Sequence, residues 1–167
     1  SIMTAVAANQ LLVVNYETAG ATMPAGKTPI AAFSEVASVH GLQYKNEDLD
    51  YIDFNFQRTL PHKFSQYGPS IAVGDANWDG LADGFLGGSR TFDETWMWQQ
   101  SDGTFTSESV SYKVDSEKRE EDIGSLLFDA EGGGDLDLYL VRGNAQSEAG
   151  NALYQDVLYL NNGNGGF

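Results

Sequence analysis

The sequence predicts an all-β chain, and three observations predict it. Apolar residues come in runs of four to six between glycine, asparagine and aspartate, which is the punctuation of strands and turns. Helix signals are scarce: the best candidate, "IAAFSEVASVHG" at 30–41, offers one short turn ending at Gly41. Finally, the second half repeats the first. "SIAVGDANWDGLADGFLGG" at 70–88 aligns with "SLLFDAEGGGDLDLYLVRG" at 125–143, as apolar strand, acidic glycine-containing loop and apolar strand, with Asp75 and Asp129 54 residues apart.

Taken in order, residues 18–30, "TAGATMPAGKTPI", read as a linker because small residues dominate and two of the four prolines fall there. Residues 31–69 form an irregular lead-in. Strands are predicted at Ser70 to Val73, Gly84 to Gly87, Thr95 to Gln99 and Thr104 to Ser107, then at Gly124 to Phe128, Leu138 to Arg142 and Val157 to Leu160. "SDGT" at 101–104 and "NNGNGG" at 161–166 are compatible with tight hairpins. Four short antiparallel strands recurring at a period near 50 residues predict β-propeller blades, the first over 70–121 and the second over 122–167. Phe167 stands where the second unit's fourth strand would open. Closed propellers need about four to eight blades, so two units are expected to find their partners in further blades or in other chains.

At 167 residues with 41% apolar and 12% aromatic content, the chain is long enough to bury a core. A formal net charge of −15 argues against nucleic acid and anionic membranes as partners and makes cations the natural counter-charge. The absence of cysteine excludes disulfides and thiolate metal sites. The opening residues lack the basic and apolar regions of a signal peptide, and no segment reaches the roughly 20 apolar residues of a membrane span.

The loop "GDANWDGLAD" at 74–83 sets Asp75, Asn77 and Asp79 at alternate positions, with Gly80 at the tightest part of the turn and Asp83 closing the ring. Their side chains, with the Leu81 carbonyl, make a shell of hard oxygen donors. That suits Ca²⁺ better than Mg²⁺, which demands stricter octahedral geometry, and does not suit Zn²⁺, which prefers nitrogen or sulfur. The competing reading is a cluster of Asx turns in which the carboxylates cap backbone N–H groups. An EF-hand is excluded, since its twelfth loop position falls on Leu86 in the first loop and Leu140 in the second. In the second loop, "DAEGGGDLD", Glu131 takes the third position and Gly133 the fifth. Asp129, Glu131 and Asp137, with the Asp135 carbonyl, are expected to form a weaker Ca²⁺ site.

"DANWDGLAD" followed by "FLGG" resembles the FG-GAP or VCBS-type repeat of integrin-like β-propellers, whose loop reads D-x-[DN]-x-D-G-x-x-D between two strands. "FSEVASVHGLQY" and "DFNFQRTLPHKFSQYGPSIAVGD" resemble the lead-in of bacterial VCBS-repeat proteins that also carry ASPIC/UnbV domains, and "ANQLLVVNY", within residues 1–17, is similar to the tail of such a domain. The resemblance implies an extracellular module at a bacterial cell surface, in the setting of an outer-membrane lipoprotein. It implies Ca²⁺ in the blades and recognition of a protein or glycan ligand as the task.

Trp96 and Trp98 stand two apart on a strand and hence on one face, available either to stack on a sugar ring or to fill the core between blades. His40 and His62 are expected to anchor the lead-in, and "SEKREED" at 116–122 to be a solvated turn. No nucleophile, zinc or phosphate-loop motif appears, so the chain is expected not to be an enzyme. The alternative is a carbohydrate-active propeller whose catalytic residues lie mostly outside these residues.

Overall fold

A computed structural model describes residues 33–111 and 120–167. The expectations for 1–17 and 18–30 lie outside the described residues. Val36–Phe167 form one compact unit.

All seven predicted strands are present, and they pair antiparallel in two sheets. The first sheet is β1 (Ile71–Gly74), β2 (Asp83–Leu86), β3 (Glu94–Gln99) and β4 (Phe105–Val110), in that order. The second is β5 (Asp122–Phe128), β6 (Asp137–Arg142) and β7 (Val157–Tyr159). The chain is therefore all-β, and among the described residues its only helical pieces are 3-10 turns at Asp53–Asn55 and Ala152–Tyr154.

Period-two alternation sets what each sheet buries. Ala72, Phe85 and Trp96 lie side by side across β1, β2 and β3 and face the second sheet, whose Leu138 and Leu140 complete the core, with Leu127 and Tyr159 packed against it. β1 packs against β5, so the two sheets meet through their first strands. Burying one side chain of this size contributes about 1.5–3 kcal/mol.

The lead-in docks on the β3–β4 hairpin. Residues 36–41 make the predicted short turn, where Gly41 has φ +77° and sits so close to the Phe105 carbonyl that a side chain would collide with it. The His40 carbonyl accepts from Phe105 N–H at 2.7 Å, and its ring pairs with the Gly103 carbonyl at 3.0 Å. His62 bonds the Tyr67 hydroxyl within a cluster that includes Phe64. Both histidines anchor the lead-in, as expected. Asp53, buried, accepts from the N–H groups of Phe64 and Ser65 and closes the loop that follows.

Of the charged run 116–122, residues 116–119 lie outside the described residues, and its end departs from expectation. Glu121 and Asp122 are buried, because β5 begins at Asp122 and is drawn against the turn after β2. Asp122 N–H donates to the Gly88 carbonyl at 3.0 Å, Asp122 Oδ2 accepts from Gly88 N–H at 3.0 Å, and Arg142 Nε stands 3.6 Å from Asp122 Oδ1. Glu121 accepts from Gln146 Nε2, and Gln146 in turn accepts from Arg90. Burial, reinforced by Asp48, Asp53 and Asp122 and opposed by Arg90, pushes the Glu121 carboxyl up to about 7.

A raised carboxyl means that the folded chain binds a proton more tightly than the unfolded one. Stability is therefore expected to fall as pH rises from the ordinary glutamate value of 4.5 to about 7, and to level off above that. With screening by nearby solvent the loss is about 1–2 kcal/mol. Urea unfolding at a series of pH values should show this slope, and Glu121→Gln should flatten it; an unchanged slope in the variant would assign it to other groups.

Candidate cation loops

Each acidic loop joins the first two strands of its sheet, and each is closed by an aspartate at the start of the second strand. Asp83 is fully buried: Oδ2 accepts from Ala76 N–H at 3.1 Å and Oδ1 from Gln99 N–H of β3 at 2.9 Å. Asp137 repeats the arrangement, with Oδ2 accepting from Ala130 N–H at 2.8 Å and Oδ1 from Asn161 N–H at 2.9 Å. In both units the carboxylate reaches back seven residues along its own loop and sideways to the chain of the third strand. One side chain thus ties together three stretches of backbone.

Above Asp83, the first loop wraps around its remaining polar side chains. Asp75 accepts from Asp79 N–H at 3.1 Å and Gly80 N–H at 2.9 Å, Asn77 Oδ1 from Asp79 N–H at 3.1 Å, and Asp79 Oδ1 from Leu81 N–H at 2.8 Å. Asn77 Nδ2 donates to Asp79 Oδ2 at 3.2 Å, which draws those two side chains together. Trp78, between them, adopts a left-handed φ of +62° that permits the tight curl. Burial, with the charges of Asp79 and Asp75, pushes the Asp83 carboxyl above the ordinary aspartate value, against the pull of its two backbone donors.

In the second loop Asp129 takes the role of Asp75, accepting from Gly133 N–H at 3.0 Å and Gly134 N–H at 3.0 Å. The fifth position has no side chain, and the space beside Gly133 is filled instead by Asp135. Its Oδ1 lies 2.8 Å from where a Cβ on Gly133 would stand, and Glu131 Oε1 lies 3.4 Å from the same point. Expected to offer only its carbonyl, Asp135 therefore also presents its carboxylate, next to that of Glu131.

Asn161 joins the two loops. Read in sequence only as part of a turn, it is buried and fully engaged: its Nδ2 donates to the carbonyls of Ala76 at 2.7 Å and Leu136 at 3.0 Å, while its Oδ1 accepts from Gly163 N–H at 3.1 Å and Gly165 N–H at 3.2 Å. One residue from the second unit thus holds a carbonyl in each acidic loop. Trp78 adds a second bridge, its ring edge reaching 3.5 Å from where a Cβ on Gly134 would stand.

Trp96 and Trp98 share a face as predicted, with ring centroids 4.6 Å apart and nearly parallel. Trp96 also stacks with Phe167 at 5.1 Å, meets Phe85 edge-on and is only 1% exposed. It belongs to the core, and no face is left on which a sugar could stack. Trp98 is half-buried and donates from Nε1 to Glu108 at 2.8 Å.

Among the described residues, no three Asp, Glu or His side chains already converge as a metal cage. The carboxylates cap N–H groups, the Asx-turn arrangement weighed from sequence. The donors still fit a hard cation in kind: the first loop supplies only oxygen, and each carboxylate oxygen that accepts one N–H keeps a further lone pair. Fold and loops together define a class, an all-β protein of tandem antiparallel sheets, each with an acidic loop between its first two strands. No protein-family model, curated protein or solved structure matches the chain.

Proposed function

We infer that the chain is part of a calcium-stabilised β-propeller that provides structural support and ligand recognition at a bacterial cell surface, not an enzyme. One observation carries this reading: two loops, each closed by a buried aspartate that accepts from the N–H group seven residues before it, gather oxygen donors above that aspartate, in a protein with a net charge of −15. In the first loop Asp75, Asn77, Asp79, the Leu81 carbonyl and Asp83 would hold the ion; in the second, Asp129, Glu131, Asp135 and Asp137. The ion supplies positive charge to loops whose carboxylates otherwise repel one another. The chain's own part is to fix the loop ends: Asp83 and Asp137 do so from below, and Asn161 from the side. Recognition then falls to loops and edges outside the Trp96 core.

Calcium added to metal-free protein is expected to raise the melting temperature. The gain is about 2.7 kcal/mol when free calcium stands at 100 times Kd, or about 5–10 °C for a domain of this size. Asp79→Ala should remove more of that gain than Glu131→Ala, because the first loop has the fuller donor set. Identical melting curves in calcium and in EDTA would reject the reading. Glycan binding without release of reducing ends, assayed on the same material, separates recognition from hydrolysis.

A further inference from the structure

The lead-in is folded on itself and only lightly tied to the sheets. Asp53 gathers the N–H groups of Phe64 and Ser65, Lys63 reaches Asp50 at 3.3 Å, and the rings of Tyr51 and Phe56 stack with centroids 5.3 Å apart. Among the described residues, 42–69 make one hydrogen bond to the sheets and their connections, accepted by the Glu47 carbonyl from Ser89 Oγ at 2.6 Å. The segment is thus held at its ends, by His40 on Gly103 and Phe105 and by the entry into β1, and pinned once between them. It still covers part of the first sheet. Strand register turns Met97 to the side away from the second sheet, where it is nonetheless only 4% exposed. A cleft of about 330 Å³ lies there, between Tyr44, Lys45 and Glu47 of the lead-in and Thr95, Met97 and Ser107 of β3 and β4.

The single pin lies where like charges meet. Asp48 and Asp53 of the lead-in face Glu121, which stands beside Asp122 at the start of β5, and both residues of that pair are buried. Two cations oppose them. Arg90, from the β2–β3 connection, faces Glu121 and is joined to it through Gln146, while Arg142 of β6 stands 3.6 Å from Asp122. Four carboxylates against two guanidinium groups leave an excess of negative charge across the contact, and a proton on Glu121 halves it. Burial first, then Asp48, holds the Glu121 carboxyl up at about 7, so the charge changes near neutral pH. Glu121 and Asp122 themselves are fixed by backbone: the Glu121 carbonyl accepts from Gly143 N–H at 3.1 Å, and Asp122 N–H donates to the Gly88 carbonyl at 3.0 Å. The side of the contact with the fewest bonds to break is the lead-in.

We propose that Glu121 is a proton-operated latch on the lead-in: protonated, it lets segment 42–69 lie against the sheets, and ionised, it drives the stretch around Asp48 away and widens the cleft over Met97. Lifting that stretch hydrates the Glu121 carboxyl and takes Asp48 and Asp53 from its side. The open form therefore binds the proton less tightly than the closed form and gains population as pH rises toward about 7, levelling off above it. The strands stay paired throughout. The latch is separate from the acidic loops, and it works whether or not they take calcium.

Oxidation of Met97 by hydrogen peroxide, followed by mass spectrometry of its peptide with free methionine as reference, reads the opening. The rate is expected to rise about 5–30-fold between about pH 5 and about pH 8, which is the Glu121 shift discounted for screening by solvent. Over the same range the amides of Phe85 and Leu140, in β2 and β6, should keep their protection from hydrogen exchange after correction for intrinsic rate. Glu121→Gln keeps an acceptor for Gln146 but cannot ionise, so Met97 should stay slow at both ends of the range. The variant leaves His40 and His62 in place, and a rise that survives in it belongs to other groups and overturns the proposal. A wild-type rate that does not change with pH overturns it too, as does loss of protection at Phe85 and Leu140 in step with Met97, which would mark global unfolding. Should Glu121→Gln fail to fold by circular dichroism, Asp48→Asn, at a half-buried position, decides in its place: it should reduce the rise, and an undiminished rise would reject the latch.

Discussion

Asp83→Ala is expected to destabilise the protein by roughly 3–5 kcal/mol, a large share of the about 5–15 kcal/mol that holds a domain folded. The carboxylate accepts from two backbone N–H groups, at buried Ala76 and part-buried Gln99, and alanine takes that acceptor from both. Repulsion among Asp75, Asp79 and Asp83 is relieved by the change, but that gain is spread over a partly solvated loop and is the smaller effect. Asp137→Ala should cost less, because Ala130 is exposed where Ala76 is fully buried, so water can replace one of the lost acceptors. Urea denaturation in EDTA, which removes any contribution from calcium, measures both. A cost below about 1 kcal/mol for Asp83→Ala would show that the loop end is held by something other than this side chain.

The second large effect is at Asn161. Asn161→Ala removes four hydrogen bonds at once, leaving the carbonyls of Ala76 and Leu136 and the N–H groups of Gly163 and Gly165 to find other partners. About 3–4 kcal/mol is expected, since the site is buried and only part of it can be rehydrated. Asn161→Asp discriminates between two explanations. The acid keeps the acceptor but turns a carboxylate toward two carbonyl oxygens, so it should be at least as damaging as alanine. If aspartate is tolerated, the two donated bonds contribute little, and the junction between the loops rests on packing by Trp78 instead.

The strands were legible because each is an apolar run bounded by turn residues, and the repeat because aspartate spacing survives in both loops. Asp83 and Asp137 were legible as members of their loops but not as the buried ends of a hydrogen-bond node, since spacing says nothing of which backbone a side chain will meet. Asn161 was hidden for the same reason: in "NNGNGG" it looks like one turn asparagine among three, and its role depends on a loop 85 residues away. Glu121 and Asp122 were misread because a charged run ordinarily faces water; here the start of β5 is clamped to Gly88, and sequence contains no sign of that pairing. For Asp135, the missing side chain at Gly133 was visible, but not that the neighbouring carboxylate would swing into the space.

The paired aspartate nodes also say where this architecture can change in length. From Ala76 to Asp83 and from Ala130 to Asp137 the distance along the chain is the same, and it has to be, because one carboxylate spans it. From the aspartate to its partner at the end of the third strand (Gln99) or just beyond it (Asn161) the two units differ: 16 residues separate Asp83 from Gln99, and 24 separate Asp137 from Asn161. The surplus lies in the connection between β6 and β7, which includes the 3-10 turn at Ala152–Tyr154. Lineages of such repeats are thus free to acquire new surface in that connection while the acidic loop stays at one size, so novelty in one place and constancy in the other arise from the same hydrogen bond.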